Sequence, residues 1–353
     1  MSTLSPFHDD ENFDTATLNS VLETEDNHSN QNSESDEEPT TGPTPTTEYS
    51  RLDYIHNCWK IILRDRTGPG PNYPERLHLV PLPLRIDRPL RVLDVGSGCG
   101  IWAMEMAKKC PHLQVVGLEV TPIPSGPGTP KNLTFEVCTS LERGIEGDWP
   151  FVEKYGLFDL IHMRTLTGST RDWPALLQKA KAAMDYGSVI EIQEGYLTGP
   201  ESNDESFEGT RLQQYFKLLR EAGEIAGIET DVPPRLAVMV REAGFIEVVE
   251  DKENCPVGTW VDANVEHPIA GYGKMMHELG TFAREATIKG AREYGMRTLM
   301  RIHGWTDQEA TALVEDAIRD LNDGNIHIYY RTFVVHAKKP YPNGTGFPDD
   351  PSP

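Results

Sequence analysis

The sequence predicts a doubly wound α/β sheet with a helical insertion between its last two strands. Three observations predict it. Short apolar runs alternate with helical patterns through the middle of the chain, the first run ends in a glycine-rich turn, and about 75 residues separate the last two runs.

The chain opens with a different texture. Residues 1–50 hold twelve Asp and Glu and no Lys or Arg, more than half of the formal net charge of −22. The stretch EDNHSNQNSESDEEPTTGPTPTTE is too polar and too proline-punctuated to bury a core. A disordered acidic tail is therefore expected over 1–47, with a disordered C-terminus over 341–353 and one folded domain over 48–340.

Composition narrows the function. With 38% hydrophobic and 25% charged residues the chain reads as globular, and no apolar run reaches the length of a membrane span. The start MSTLSPFHDDENFD has neither the basic nor the apolar region of a secretory signal, so a cytoplasmic and/or nuclear location and no membrane partner are expected. No cluster of five or more basic residues occurs, which argues against direct nucleic-acid binding. Five scattered cysteines (Cys58, Cys99, Cys110, Cys138, Cys255) without a CxxC pair read as reduced thiols, with no metal site expected.

In TEYSRLDYIHNCWKIILRD, Leu52, Tyr54 or Ile55, Trp59 and Ile62 share one side at helical spacing, which predicts a helical lead over 48–88 that packs on the main body. LRVLDV (90–95), QVVGLE (114–119), LTFEV (133–137), FDLIHM (158–163) and SVIEIQ (188–193) read as buried parallel strands of a cofactor-binding half spanning 89–195. Between them lie the helical IWAMEMAKK and DWPALLQKAKAAM, the latter with Asp172 as N-cap and Pro174 in its first turn. FIEVVE (245–250) and IHIYYRTFVVHA (326–337) are the last strands, and a 75-residue gap is too long for a structureless loop. The insertion, 251–325, carries an apolar stripe of Tyr272, Met275, Met276, Leu279, Phe282 and Ala286, read as core before pocket. Thr306 and Glu309 form a capping box ahead of Leu313, Val314, Ala317 and Leu321. Together with a helix near 206–227, the insertion is expected to lid the site.

The turn itself is VLDVGSGCG, residues 92–100. Glycines there permit positive φ and let a ligand approach the bare backbone. A dinucleotide fingerprint needs glycine at position 101, where Ile101 stands, and no GK[ST] follows to make a phosphate loop. Asp94, two residues before Gly96, repels a pyrophosphate but suits an ammonium or sulfonium. Both points disfavour a nicotinamide-dependent oxidoreductase and favour S-adenosyl-L-methionine. Glu119, 23 residues beyond Gly96 at a strand end, is placed to accept from ribose hydroxyls. No catalytic residue is assigned: His162 reads as packed, His267 and His277 as surface residues, and Arg164 as either a loop ion pair or a site residue.

VLDVGSGCGIWAMEMAKKCPHLQVVGLEVTPI resembles the cofactor half of class I S-adenosylmethionine-dependent methyltransferases, which are Rossmann-like. RLDYIH, FDLIHMRTLTGSTRDWPALLQKAKAAMDYGSVIEIQE, REAGFIEVVEDKENCPVGTW and GWTDQEATALVEDAIRDLNDGNIHIYYRTFVVHAKKP resemble the fungal LaeA-like methyltransferases over Arg51 to Pro340. The resemblance implies that Asp94, Gly96, Ser97, Gly98 and Gly100 surround the methionine end of the cofactor and that Glu119 holds its ribose. Where the family has acids after strand 3, this chain offers Cys138 and Thr139, and Thr139 takes the adenine role as a weaker acceptor. Gly187 and Ser188 replace the usual glycine pair before strand 5. The family implies either O- or N-methylation of a small molecule in fungal secondary metabolism, or a nuclear regulator acting with velvet-type partner proteins.

Overall fold

The computed structural model describes residues 45–64, 75–82, 88–142, 149, 151–267, 269 and 271–345. The elements begin with α1 (Pro45–Ile62), β1 (Arg91–Val95), α2 (Ile101–Lys109), β2 (Gln114–Glu119), β3 (Leu133–Val137), α3 (Val152–Tyr155) and β4 (Phe158–Arg164). Next come α4 (Trp173–Ala182), β5 (Met184–Gly195), α5 (Arg211–Ile225), α6 (Val232–Glu242) and β6 (Ile246–Val257). Then follow α7 (Tyr272–Gly290), a π-helical turn (Ala291–Gly295), α8 (Met296–Ile302), α9 (Asp307–Leu321) and β7 (Ile328–Lys338).

The sheet runs β3-β2-β1-β4-β5-β7-β6. The first five strands pair in parallel, and β7 is antiparallel to both β5 and β6. The strand order reverses at β1, beside β4, which is where open α/β sheets bind ligands. Side chains of β1 alternate across the sheet. Leu93 and Val95 pack with Trp173 and Leu176 of α4 and Leu236 of α6 on one face. Val92 goes to the other, under Trp102 and Met106 of α2. A third apolar cluster, from α1, α5, α7 and α9 with Val257 and Tyr330, caps the edge of the sheet beyond β5.

Local signals explain the helix starts. The Asp172 side chain accepts from Ala175 N at 2.9 Å with proline in the first turn, and Thr306 and Glu309 close a reciprocal capping box. The boundaries differ from expectation at the ends. Helix α1 starts at Pro45, inside the stretch expected as tail, and is helical only as far as Ile62, whereas 75–82 is an irregular segment with Leu77 and Val80 buried against the α2 face. Residues 341–345 form a turn closed by Tyr341 N donating to Thr345 O, with the Tyr341 ring stacked on Tyr186. The rest of the tail, 1–44, and of the C-terminus, 346–353, lies outside the described residues.

Trp102 illustrates how packing and site are joined. It is 1% exposed, its indole N–H donates to Leu77 O at 3.0 Å, and its ring lies flat against His162. Trp102→Ala is expected to cost about 3 to 5 kcal/mol, read as the shift of a urea unfolding midpoint. A loss below about 1 kcal/mol would mean that the α2 face does not depend on this ring.

Candidate active site

The turn after β1 is built from the strand's own pairing. Gly96 N and Ser97 N both donate to Leu118 O, at 2.9 and 3.0 Å, so the chain leaves the sheet still tied to β2. Gly98 has φ +58 and Gly96 φ +70, conformations that L side chains rarely adopt. A side chain at Gly96 would run into Leu166, and one at Gly98 would meet Leu52 of α1 at 3.2 Å. The helical lead therefore lies directly over the turn.

Asp94 shares a face with Val92 and is 3% exposed. Its register partner on β4 is His162, and His162 Nδ1 lies 2.7 Å from Asp94 Oδ1. Burial pushes the His162 pKa down, so the ring is neutral, and an ionised carboxylate can only accept. Nδ1–H is thus the donor. Stacking at 3.7 Å on Trp102 holds the ring plane. Asp94 Oδ2 is buried and has no hydrogen-bond partner among the described residues, yet Asp94 lines a cavity. A buried, half-satisfied carboxylate is costly unless a ligand completes it.

Glu119, at the end of β2, grips the same turn. Its Oε2 accepts from Gly98 N at 2.6 Å and its Oε1 from Val120 N at 2.7 Å, and the side chain lines the cavity. Ser97 Oγ donates to Asp94 O at 2.9 Å and so stiffens the turn. Thr139 is exposed on the loop after β3 and lines the same cavity. Asp94, Gly96, Ser97, Gly98, Glu119 and Thr139 thus come together. Gly100 does not join them: it starts α2, does not line the cavity, and its missing side chain makes room for the Phe135 ring.

Sequence reasoning missed several wall residues. Glu142, buried on the loop after β3, lines the cavity while accepting from Ser140 Oγ and Arg171 N, each at 3.3 Å. An acid at the carboxyl edge of the sheet was the available signal. Thr165 has φ +57 without being glycine, at the point where β4 ends in the cavity wall. Arg164, just before it, lines the cavity and donates from Nη2 to His56 Nδ1 at 3.1 Å, while His56 Nε2 lies 2.6 Å from Glu105 Oε2. Burial and the neighbouring guanidinium push the His56 pKa to about 4. His162 is packed, as expected. His267 stacks on Tyr272, His277 Nδ1 binds Val261 O, and neither reaches the cavity.

The loop after β4 is pinned from β5. Leu166 N donates to Glu194 Oε1 at 2.5 Å and Thr167 Oγ1 to Oε2 at 2.9 Å. Burial pushes the Glu194 carboxyl up to about 7, from an ordinary 4.5. Between those values the folded protein keeps a proton that the unfolded chain has released, so stability falls as pH rises through that window. Glu194→Gln retains an acceptor for Leu166 N and is expected to reduce the fall, read as urea midpoints between about pH 5 and about pH 8, with the buried Glu191, also raised to about 7, keeping the rest. A variant with the wild-type slope would show that Glu194 does not titrate there.

The cavity has a volume of about 520 Å³, within the range of roughly 300 to 1,000 Å³ of small-molecule clefts. It runs from the glycine turn to a mostly apolar chamber walled by Trp59 of α1, Phe216 and Leu219 of α5, Ala286 and Gly290 of α7 and Tyr330 of β7. The stripe Met275, Met276 and Leu279 is core, so α7 faces the chamber with its later, smaller residues. The helices between β6 and β7 thus contribute wall as well as packing.

A mostly parallel seven-stranded sheet with an acid-then-glycine turn on β1 and a second acid ending β2 is the architecture of a class I methyltransferase. The family model for a methyltransferase domain matches residues 72–250, just over half of the chain, and the chain belongs to that family. It is an S-adenosyl-L-methionine-dependent methyltransferase. Methyltransferase pytC of Aspergillus terreus is 29% identical over 301 residues, 85% of this chain and 83% of that protein. Secondary metabolism regulator laeA of Monascus pilosus is 28% identical over 302 residues, 85% and 74%. Methyltransferase cpsF of Aspergillus campestris is 25% identical over 288 residues, 78% and 91%.

Proposed function

We propose that this protein methylates a small organic molecule of fungal secondary metabolism on oxygen or nitrogen. The observation that carries this reading is the continuity of the apolar chamber with the glycine turn, which holds a small acceptor beside the donor. S-adenosyl-L-methionine supplies an electrophilic methyl group. The unpaired Asp94 Oδ2 fits its ammonium, the Gly96–Gly98 backbone leaves room for its methionine end, Glu119 accepts from its ribose hydroxyls, and Thr139 accepts from the adenine amine. The chain's remaining task is positioning, which is worth about 7 to 11 kcal/mol of the barrier, with α1, α5 and α7 walling the acceptor chamber.

The similarity to a protein named as a secondary metabolism regulator supports a second reading, a nuclear regulator acting with velvet-type partners. Both readings place the protein in the cytoplasm and/or nucleus, without direct nucleic-acid binding. Metabolite profiling after deletion of the gene separates them. One product lacking one methyl group is the expected result; loss of many unrelated products would replace the enzyme reading with the regulator.

A further inference from the structure

The chamber's two ends differ in charge. Of the carboxylates lining the cavity, Asp94, Glu119 and Glu142 all belong to the glycine-turn end. Beyond Arg164 the described wall carries no Asp, Glu, His or Lys, and its charged groups are Arg51, over the Tyr294 ring at 5.0 Å, and Arg164 itself. A cationic amine would enter that end beside the Arg164 guanidinium, with no carboxylate of the described wall to meet its desolvation.

The same wall offers no base. Thr287 Oγ1 donates to Ala283 O at 2.7 Å, so the Tyr330 hydroxyl, 3.0 Å from Thr287 Oγ1, must donate to it. Thr332 Oγ1 donates to Glu253 O at 2.9 Å. Burial raises the pKa values of Tyr215 and Tyr330, and the Cys255 thiol together with burial raises that of Cys58, so these groups stay protonated at neutral pH. An acceptor here must release its proton without help from a neighbouring side chain.

Arg164 ends β4 in the cavity wall, beside the glycine turn. It makes no ion pair within 4.0 Å among the described residues, and its hydrogen bond to His56 uses one of five N–H donors. The titratable groups around it are His56 on α1, Asp94 on β1, Cys99 in the turn and Glu105 on α2, none of which presents a carboxylate to its fork.

We infer that the acceptor is a weakly acidic hydroxyl compound, a phenol or enol, bound as its oxyanion against Arg164. This rests on the methyltransferase reading and narrows its substrate class. The acceptor O–H gives its proton to bulk water on binding. The oxygen lone pair then forms the O–CH₃ bond as the S–CH₃ bond breaks, its electron pair passing to sulfur, and the products are a methyl ether and S-adenosylhomocysteine.

Umbelliferone, a phenol whose anion absorbs at longer wavelength, tests this on the full chain saturated with S-adenosylhomocysteine. The bound phenol's pKa is expected to fall by about 1 to 3 pH units, a ten- to thousandfold gain in the ionised form. Arg164→Gln should remove that fall and Arg164→Lys restore part of it, both without loss of S-adenosylhomocysteine affinity. An unchanged or raised pKa, no binding of umbelliferone, or tighter binding of tryptamine would overturn the substrate class. Loss of S-adenosylhomocysteine affinity in Arg164→Gln with the pKa fall intact would assign the guanidinium to the cofactor's carboxylate instead. Wild-type chain that does not bind S-adenosylhomocysteine would refute the underlying reading, and this one with it.

Discussion

Gly98→Val is expected to abolish measurable S-adenosyl-L-methionine binding in a protein that still folds. At φ +58 a β-branched residue carries backbone strain of roughly 1 to 3 kcal/mol. Its Cβ would stand 3.2 Å from Leu52 Cδ1, and its methyl groups would extend toward the cavity that the turn lines. Gly98 N also anchors Glu119 Oε2, so displacement of this peptide releases the Glu119 carboxylate as well. Calorimetry gives the affinity and circular dichroism the fold. Affinity equal to wild type would show that the turn does not hold the cofactor.

Asp94→Asn should weaken S-adenosyl-L-methionine about a hundredfold while leaving methylthioadenosine, which lacks the amino-acid end, nearly unaffected. The change is isosteric, and Asn Oδ1 still accepts from His162, so the geometry is kept and the charge alone is lost. A unit charge pair at about 4 Å is worth about 4 kcal/mol at an effective dielectric constant near 20, and the amide dipole recovers part of it. Equal losses for both ligands would place Asp94 away from the ammonium.

Much of this was legible because buried parallel strands write themselves as apolar runs. QVVGLE and LTFEV coincide with β2 and β3, and Asp94, Gly98 and Glu119 meet because strand ends of a parallel sheet share one edge. Strand β6 was read too short. Its last eight residues, EDKENCPV, lie on an edge strand whose exposed charges give no apolar signal, although Cys255 there reaches the chamber. Gly100 shows that a glycine can make room for a neighbouring ring, here Phe135, and look the same in sequence as one that serves a ligand. The pairing of His56 with Arg164 joins residues 108 apart, and no local pattern encodes it.

Helix α1 precedes the sheet in the chain but packs against α7, and together they wall the chamber. During synthesis, Ile62 leaves the ribosome some 210 residues before Tyr272. At about 5 to 20 residues per second, the apolar side of α1 waits roughly 10 to 40 s for its partner. The parallel strands β1 to β5 can assemble in that interval, but the chamber cannot. Nascent chains arrested before α7 would therefore expose Trp59 and Ile62, which leaves this stage open to aggregation.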